Sequence, residues 1–287
     1  MESEGLRMAQ KAGQSEGSGN KGRARLYGMP LAYEVLHWKG TGKEVRGLLR
    51  MAGKFVGVQA KARGTWLEPA CGTGRYLRVA AERVEKCIGV DLAEELMAFG
   101  RNEMSPKVRK KVRLIKGDMT KLEEVVKAGS VDFAFNMINT VRHVKSDAAM
   151  VRHLRGVRHA LRPGGVYVVG LSLSWYGMEA PSEDVWQGTL QGLRVLQTVQ
   201  YLPAVGGAKA RERMEQVLSH LQMTQGRGKG ARMWDVDDRY ELLSFNLEEW
   251  MKVVERAGMR VIATVDEEGN EIAPAEPGYS IFVLGAR

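Results

Sequence analysis

The chain has 287 residues, 44% hydrophobic and 27% charged, which supplies a core for one large domain or two small ones and excludes a chain disordered throughout. No apolar run reaches the roughly 18 residues that span a bilayer, the longest being GGVYVVGLSL at 164–173. The net charge of +9 is spread, with denser stretches at 39–63, 101–116 and 142–162, and without a recognisable module carrying exposed aromatics the charge alone does not decide for nucleic-acid binding.

Residues 1–25 hold Leu6 as their only branched aliphatic and five glycines, so they cannot offset the entropy of ordering their backbone, and a disordered tail is expected. They contain no apolar stretch of secretory length. From Leu26, LYGMPLAYEVLHW gathers aromatic and aliphatic side chains ahead of a helix expected at about 42–59, and the stretch 26–63 reads as an amphipathic helical lid. Cys71 and Cys87 make no disulfide framework and have no zinc-ligand neighbours at the usual spacings, so no metal is expected and the reduced cytoplasm is the expected compartment.

From residue 64 short apolar runs alternate with helical stretches. Strands are predicted at 65–69, 86–91, 112–116, 131–137 and 166–172, and helices at 74–84, 94–102, 120–127 and 146–161. The last helix stops at RPGG (162–165), where proline cannot continue it and the glycines permit a turn. This order predicts an α/β fold, a parallel sheet with helices on both faces. After Leu173 the rhythm changes to β-like alternation over 185–202, 212–225 and 232–245, with Gly-rich loops at 205–210 and 225–231, which predicts an antiparallel insert at about 174–245. The α/β rhythm returns with a helix over 247–259 and strands at 260–265 and 279–285.

The sharpest motif is WLEPACGTGRYL (66–77): a strand carrying Glu68, a turn with Gly72 and Gly74, then a helix opening near Arg75. Glycines there let backbone approach a ligand, and the helix start adds donors. A dinucleotide fingerprint needs a third glycine where Leu77 stands, and a phosphate loop needs Lys-Ser/Thr where Arg75 and Tyr76 stand. What fits is a ligand without a pyrophosphate, held by Glu68 before the glycines and by Asp91 at the end of the next strand. Asp91 and Asp118 also have an ordinary reading as helix caps, Met119 and Met137 as core residues, and Cys71 as packing.

From about Leu26 to Arg287 the chain resembles the class I S-adenosylmethionine-dependent methyltransferases. EPACGTG is similar to the family's first motif, with Ala70 where a glycine is usual. The resemblance implies a Rossmann-like seven-stranded sheet and S-adenosylmethionine as cofactor, with S-adenosylhomocysteine as product. It places Glu68, Ala70, Gly72, Gly74 and Arg75 on the cofactor, and Asp91 with Leu92 at the ribose. Gly117, Asp118 and Met119 fall at the adenine, and FNMIN (135–139) and LRPGGVYVV (161–169) match later motifs, bringing in Asn136 and Met137.

Asn136 is not followed by Pro-Pro and an aromatic, which argues against the nucleic-acid adenine and cytosine N-methyltransferases. The insert is where small-molecule members build an acceptor pocket, and here it carries Trp175, Tyr176, Trp186, Tyr201, Trp234 and Tyr240. A small-molecule acceptor, foremost an amine, is therefore expected, with Trp175, Tyr176, Arg239 and Tyr240 as substrate residues. The nearest branch dimethylates nucleotide-linked amino sugars, and its resemblance puts Tyr33 beside the donor and His143 at the acceptor, both as catalytic candidates. His37, His153, His159 and His220 receive no role and are expected on element surfaces. Two other classes stay open: an RNA or protein methyltransferase using the basic surface, and a non-catalytic S-adenosylmethionine binder. Nucleic acid is not the favoured partner, no membrane partner is expected, and the β insert is the surface on which a homodimer would form.

Overall fold

The computed structural model describes residues 24–287. The expected tail lies outside the described residues except at its end, where Ala24 is buried and Arg25–Gly28 forms a 3-10 turn. Three helices follow: α1 (Pro30–His37), α2 (Thr41–Phe55) and α3 (Val58–Arg63). The helix expected at 42–59 is thus two helices, broken where Gly57 takes a φ of 114°, a region open to glycine. Helix α1 lies within the stretch 26–63 read as a helical lid, and Pro30 at its first turn is a normal start signal.

The α/β body begins with β1 (Thr65–Pro69), α4 (Arg75–Ala80), β2 (Lys86–Asp91), α5 (Glu94–Asn102), α6 (Pro106–Arg109), β3 (Val112–Lys116) and β4 (Val131–Asn136). It continues through α7 (Asp147–Ala160) and β5 (Leu161–Leu173), and closes with α8 (Leu247–Arg256), β10 (Met259–Val265) and β11 (Gly278–Ala286). The seven strands form one sheet in the order β10-β11-β5-β4-β1-β2-β3, with β11 antiparallel to both neighbours. Successive residues face opposite sides. Trp66 packs with α2 and α4, against Phe133 at 4.6 Å between ring centres, while Leu67 packs with α7 and α8 on the other face. Each such large side chain removed from water contributes about 1.5–3 kcal/mol.

The helix expected at 120–127 is a 3-10 turn, Met119–Glu124, interrupted at non-helical Lys121. RPGG is not a loop outside the strand: β5 starts at Leu161 and absorbs the extra residues as an irregularity in its pairing with β4, with Gly164 at a φ of 78°.

The insert is a second, four-stranded antiparallel sheet of β6 (Ser182–Leu190), β7 (Leu193–Leu202), β8 (Met214–Gln225) and β9 (Arg232–Leu243), in that order. Its inner face shares a core with α1, where Val195, Leu221 and Met223 meet Leu26, Val35 and Leu36. No helix among the described residues is long and apolar enough to cross a membrane.

Candidate active site

The turn after β1 is built from left-handed backbone: Ala70 has a φ of 53°, Gly72 56° and Gly74 65°. Ala70, where a glycine is usual, keeps the conformation in spite of its Cβ, a local strain of the kind held at functional sites. Asp91, ending β2, ties this turn to the next strand: Oδ2 accepts from the Gly72 amide at 2.7 Å and Oδ1 from the Ala93 amide at 2.7 Å. A side chain at Gly72 would meet the Tyr33 hydroxyl at 3.0 Å, so the tyrosine of α1 lies directly over the glycine turn. Leu92 beside Asp91 is exposed.

Glu68 is buried, and its Oε2 has no hydrogen-bond partner. Burial pushes its carboxyl well up, reinforced by Asp91 and opposed by the Arg75 guanidinium. A buried carboxylate oxygen left unpaired is costly unless a ligand completes it, and a cationic amino group would do so. Asp118 caps the following 3-10 turn, Oδ1 accepting from the Thr120 amide at 2.7 Å and from its hydroxyl at 2.9 Å. A side chain at Gly117 would press Val90 at 3.0 Å. Met119 packs on the α7 face of the sheet and Met137 on the other.

Two expected cofactor residues have their side chains engaged elsewhere. Arg75 is buried and donates to Thr41 Oγ1 at 2.7 Å and to Glu44 Oε2 at 2.8 Å, both on α2. It fastens α2 to the glycine turn. Glu34 of α1 does the same, pairing with Arg78 at 2.6 Å and accepting from Thr73 Oγ1 at 2.7 Å. The Asn136 amide is fully buried, donating to the Pro69 carbonyl and accepting from the Tyr167 hydroxyl at 2.8 Å.

Beyond β4, Ile138 and Asn139 take φ values of 52° and 60°, unusual for a branched residue. Asn139 holds them, Nδ2 donating to Ser172 Oγ at 3.0 Å and Oδ1 accepting from the Ser172 amide at 2.6 Å. The 3-10 turn Thr140–His143 follows. Buried Arg142 bolts it to the insert, donating to the Leu243 carbonyl at 3.0 Å, Glu215 Oε2 at 2.8 Å and Ser244 Oγ at 2.9 Å. This leaves His143 Nε2 at 2.7 Å from the Tyr27 hydroxyl, with its ring stacked on Tyr240 at 5.6 Å between centres. Tyr27 sits 6.0 Å from Tyr33, Tyr33 4.4 Å from His37, and His37 6.2 Å from Trp186. Burial lowers His143 to about 4, with Lys145 and Arg142 adding to it. Burial, aided by Arg75, lowers His37 to about 3. Both imidazoles are neutral at pH 7, and burial pushes the Tyr27 and Tyr33 hydroxyls up, so both stay protonated.

Tyr27 and His37 were not foreseen. His37 was expected on a surface; its position one helical turn after Tyr33 was the available signal. Arg239 is not brought to this cluster. It follows Asp238 and precedes Tyr240 on β9, so its side chain takes the outer face, donating to Gln216 Oε1 at 2.7 Å. There it lines an open cavity of about 750 Å3 with Thr198, Leu218, His220 and Asp237. Trp175 is largely exposed, and the Tyr176 hydroxyl is engaged by Glu249 of α8 at 2.8 Å. No group of side chains among the described residues could hold a metal ion.

Residues 67–165 match the methyltransferase domain family. No curated protein matches the chain by sequence. Among solved structures, the CcbJ methyltransferase from Streptomyces caelestis is 20% identical, with 91% of this chain and 97% of that chain covered at a TM-score of 0.65. CalS10, an amino pentose methyltransferase from Micromonospora echinaspora solved with S-adenosylmethionine bound, is 20% identical over 94% of this chain and 99% of that chain, at 0.60. The sugar N-methyltransferase KedS8 from a Streptoalloteichus species is 18% identical over 96% and 97%, at 0.61. The sheet order, the glycine turn after β1 and the family match agree: residues 67–165 match the methyltransferase domain family, and the chain is built on the Rossmann-like fold of the class I methyltransferases.

Proposed function

We propose that this protein transfers a methyl group from S-adenosylmethionine to the amine nitrogen of a small molecule, an amino sugar being the acceptor class its structural neighbours favour. The observation that carries the reading is the meeting of Tyr33, over the glycine turn, with the Tyr27–His143 pair at the same edge of the sheet. The residues present fit the cofactor. Glu68 offers an unpaired carboxylate oxygen to its amino group, Asp91 ends β2 and Asp118 follows β3 at the positions expected for the ribose and adenine, and the left-handed backbone of Ala70, Gly72 and Gly74 shapes the turn after β1. When bound, its sulfonium supplies an activated methyl carbon, so the protein needs alignment and exclusion of water rather than strong acid catalysis.

Tyr33, with its hydroxyl protonated, orients groups at the donor side. His143 is neutral and, lowered to about 4, too weak a base to hold a proton against an alkylamine. In the tautomer that donates Nε2–H to the Tyr27 hydroxyl, its Nδ1 accepts a hydrogen bond from an amine N–H and so turns the nitrogen lone pair toward the methyl. The acceptor must enter as the free amine. Its lone pair forms the N–C bond as the C–S electron pair returns to sulfur, and the product ammonium gives its proton to water. Helices α1 and α2, fastened to the glycine turn by Glu34, Thr41 and Glu44, serve as the cover that keeps water out.

The test is S-adenosylhomocysteine release with a panel of nucleotide-linked amino sugars beside the matching hydroxyl and carboxylate sugars. Methylated amine, identified by mass spectrometry, is expected. Turnover of the carboxylates or hydroxyls alone would overturn the amine assignment.

A further inference from the structure

A run of buried polar side chains crosses the core beneath the site and takes no part in the chemistry described above. His153 was expected on a helix surface, yet it is fully buried on α7. Its Nδ1 lies 3.0 Å from the Met119 carbonyl and its Nε2 2.8 Å from the Tyr167 hydroxyl. That hydroxyl lies 2.8 Å from Asn136 Oδ1, and Asn136 Nδ2 donates to the Pro69 carbonyl. Both ends are backbone carbonyls, which only accept. The histidine must therefore direct Nδ1–H at Met119, and the amide must direct its NH2 at Pro69. The Tyr167 hydroxyl lies between two acceptors and donates its one proton to one of them at a time, so it is the link between the halves.

The two carbonyls belong to opposite walls of the cofactor site. Met119 follows Gly117 and Asp118 beyond β3, and Pro69 ends β1 immediately before strained Ala70 and the glycine turn. These walls hang from strands that are not neighbours, since β2 lies between them. We propose that His153, Tyr167 and Asn136 are positioning residues that hold the adenine-side loop and the glycine turn at the separation S-adenosylmethionine requires. A polar chain in an otherwise apolar layer is explained by this role. Packing alone at these positions is served better by aliphatic side chains, while directional bonds between fixed partners favour one geometry. The inference rests on the cofactor assignment made above.

The test uses Tyr167→Phe, which removes one oxygen and keeps the ring in the core, beside Val157→Ala on the same helix, which removes buried methyls without touching the chain. S-adenosylhomocysteine binding is measured by titration calorimetry, and kcat and KM with a working acceptor. For Tyr167→Phe the cofactor Kd and KM are expected to rise about 3- to 10-fold, the worth of one buried hydrogen bond, with kcat at saturating cofactor within about twofold. Val157→Ala should lower the melting temperature and leave the cofactor Kd unchanged. Unchanged affinity in Tyr167→Phe, or equal weakening in Val157→Ala, overturns the positioning role. Failure of the wild-type protein itself to bind overturns the cofactor assignment as well and is distinguished by that.

Discussion

The Tyr27 hydroxyl lies 2.7 Å from Nε2 of His143, joining the first turn of the described chain to the turn after β4, 116 residues away. The contact fixes the imidazole by one nitrogen while Tyr240 holds its face at 5.6 Å. An orienting histidine needs such restraint, because a small misplacement of the nucleophile costs rate without costing cofactor affinity.

Tyr27→Phe is accordingly expected to lower kcat about 3- to 10-fold, and His143→Ala about 100-fold. S-adenosylhomocysteine affinity should stay within about twofold in both. The double variant should be no slower than His143→Ala, since Tyr27 acts through the imidazole. Steady-state kinetics of the four proteins, with calorimetry alongside, checks this; loss of cofactor binding in step with kcat would make the pair a structural one.

Three histidines also bear on the acid limit of the fold. His37, His143 and His153 are lowered to about 3, 4 and 4, in each case first by burial. Between the ordinary value near 6.5 and these values the unfolded chain binds protons that the native protein does not. Their contribution is complete above about pH 6.5 and is lost as pH falls toward 4, by up to about 1.4 kcal/mol per pH unit for each group. Denaturant titrations from pH 8 to 4.5 should show this decline, with a shallower slope in His153→Gln. A slope unchanged by that substitution would mean that His153 is protonated in the fold.

Much of the α/β body was readable because its strands are short apolar runs between turn residues. Thr65–Pro69, Lys86–Asp91 and Val112–Lys116 lie where the sequence places them. What escaped is periodicity read too locally. His153 lies in one stripe with Met150, Leu154 and Val157, all buried, and helical spacing places it in the core. Arg239 and Tyr240 are neighbours on a strand and cannot face the same pocket. Tyr27 offered no signal: a four-residue 3-10 turn has no periodicity, and its meeting with His143 is purely tertiary.

Glu68 links cofactor binding to protons. Burial raises its carboxyl, and an incoming cationic amino group favours the carboxylate, so binding should release protons and weaken as pH falls. Calorimetry of S-adenosylhomocysteine in buffers of different ionisation enthalpy should show the release, and Glu68→Gln should abolish it together with the pH dependence. With the raised carboxyl gone, Glu68→Gln is also expected to lose the decline in stability that the wild-type group causes as pH rises through its folded value. Proton release that persists in Glu68→Gln would assign it to another group.

The pair Glu34–Arg78 tests how firmly the covering helices are held. The two side chains meet at 2.6 Å with 2% and 9% of their surface exposed, and Glu34 also accepts from Thr73 in the glycine turn. Removing one partner strands the other charge in the interior, so Glu34→Ala is expected to cost about 3–5 kcal/mol. Replacing both by apolar residues of similar size, Glu34→Leu with Arg78→Met, should recover most of that, because the desolvation cost disappears with the attraction. Stability returns in the double variant, but the tie between α1 and the glycine turn does not. Its cofactor Kd should therefore remain raised while its melting temperature recovers, a split read by calorimetry and thermal unfolding. Recovery of both together would mean that α1 contributes only bulk packing and that the ion pair has no part in shaping the turn.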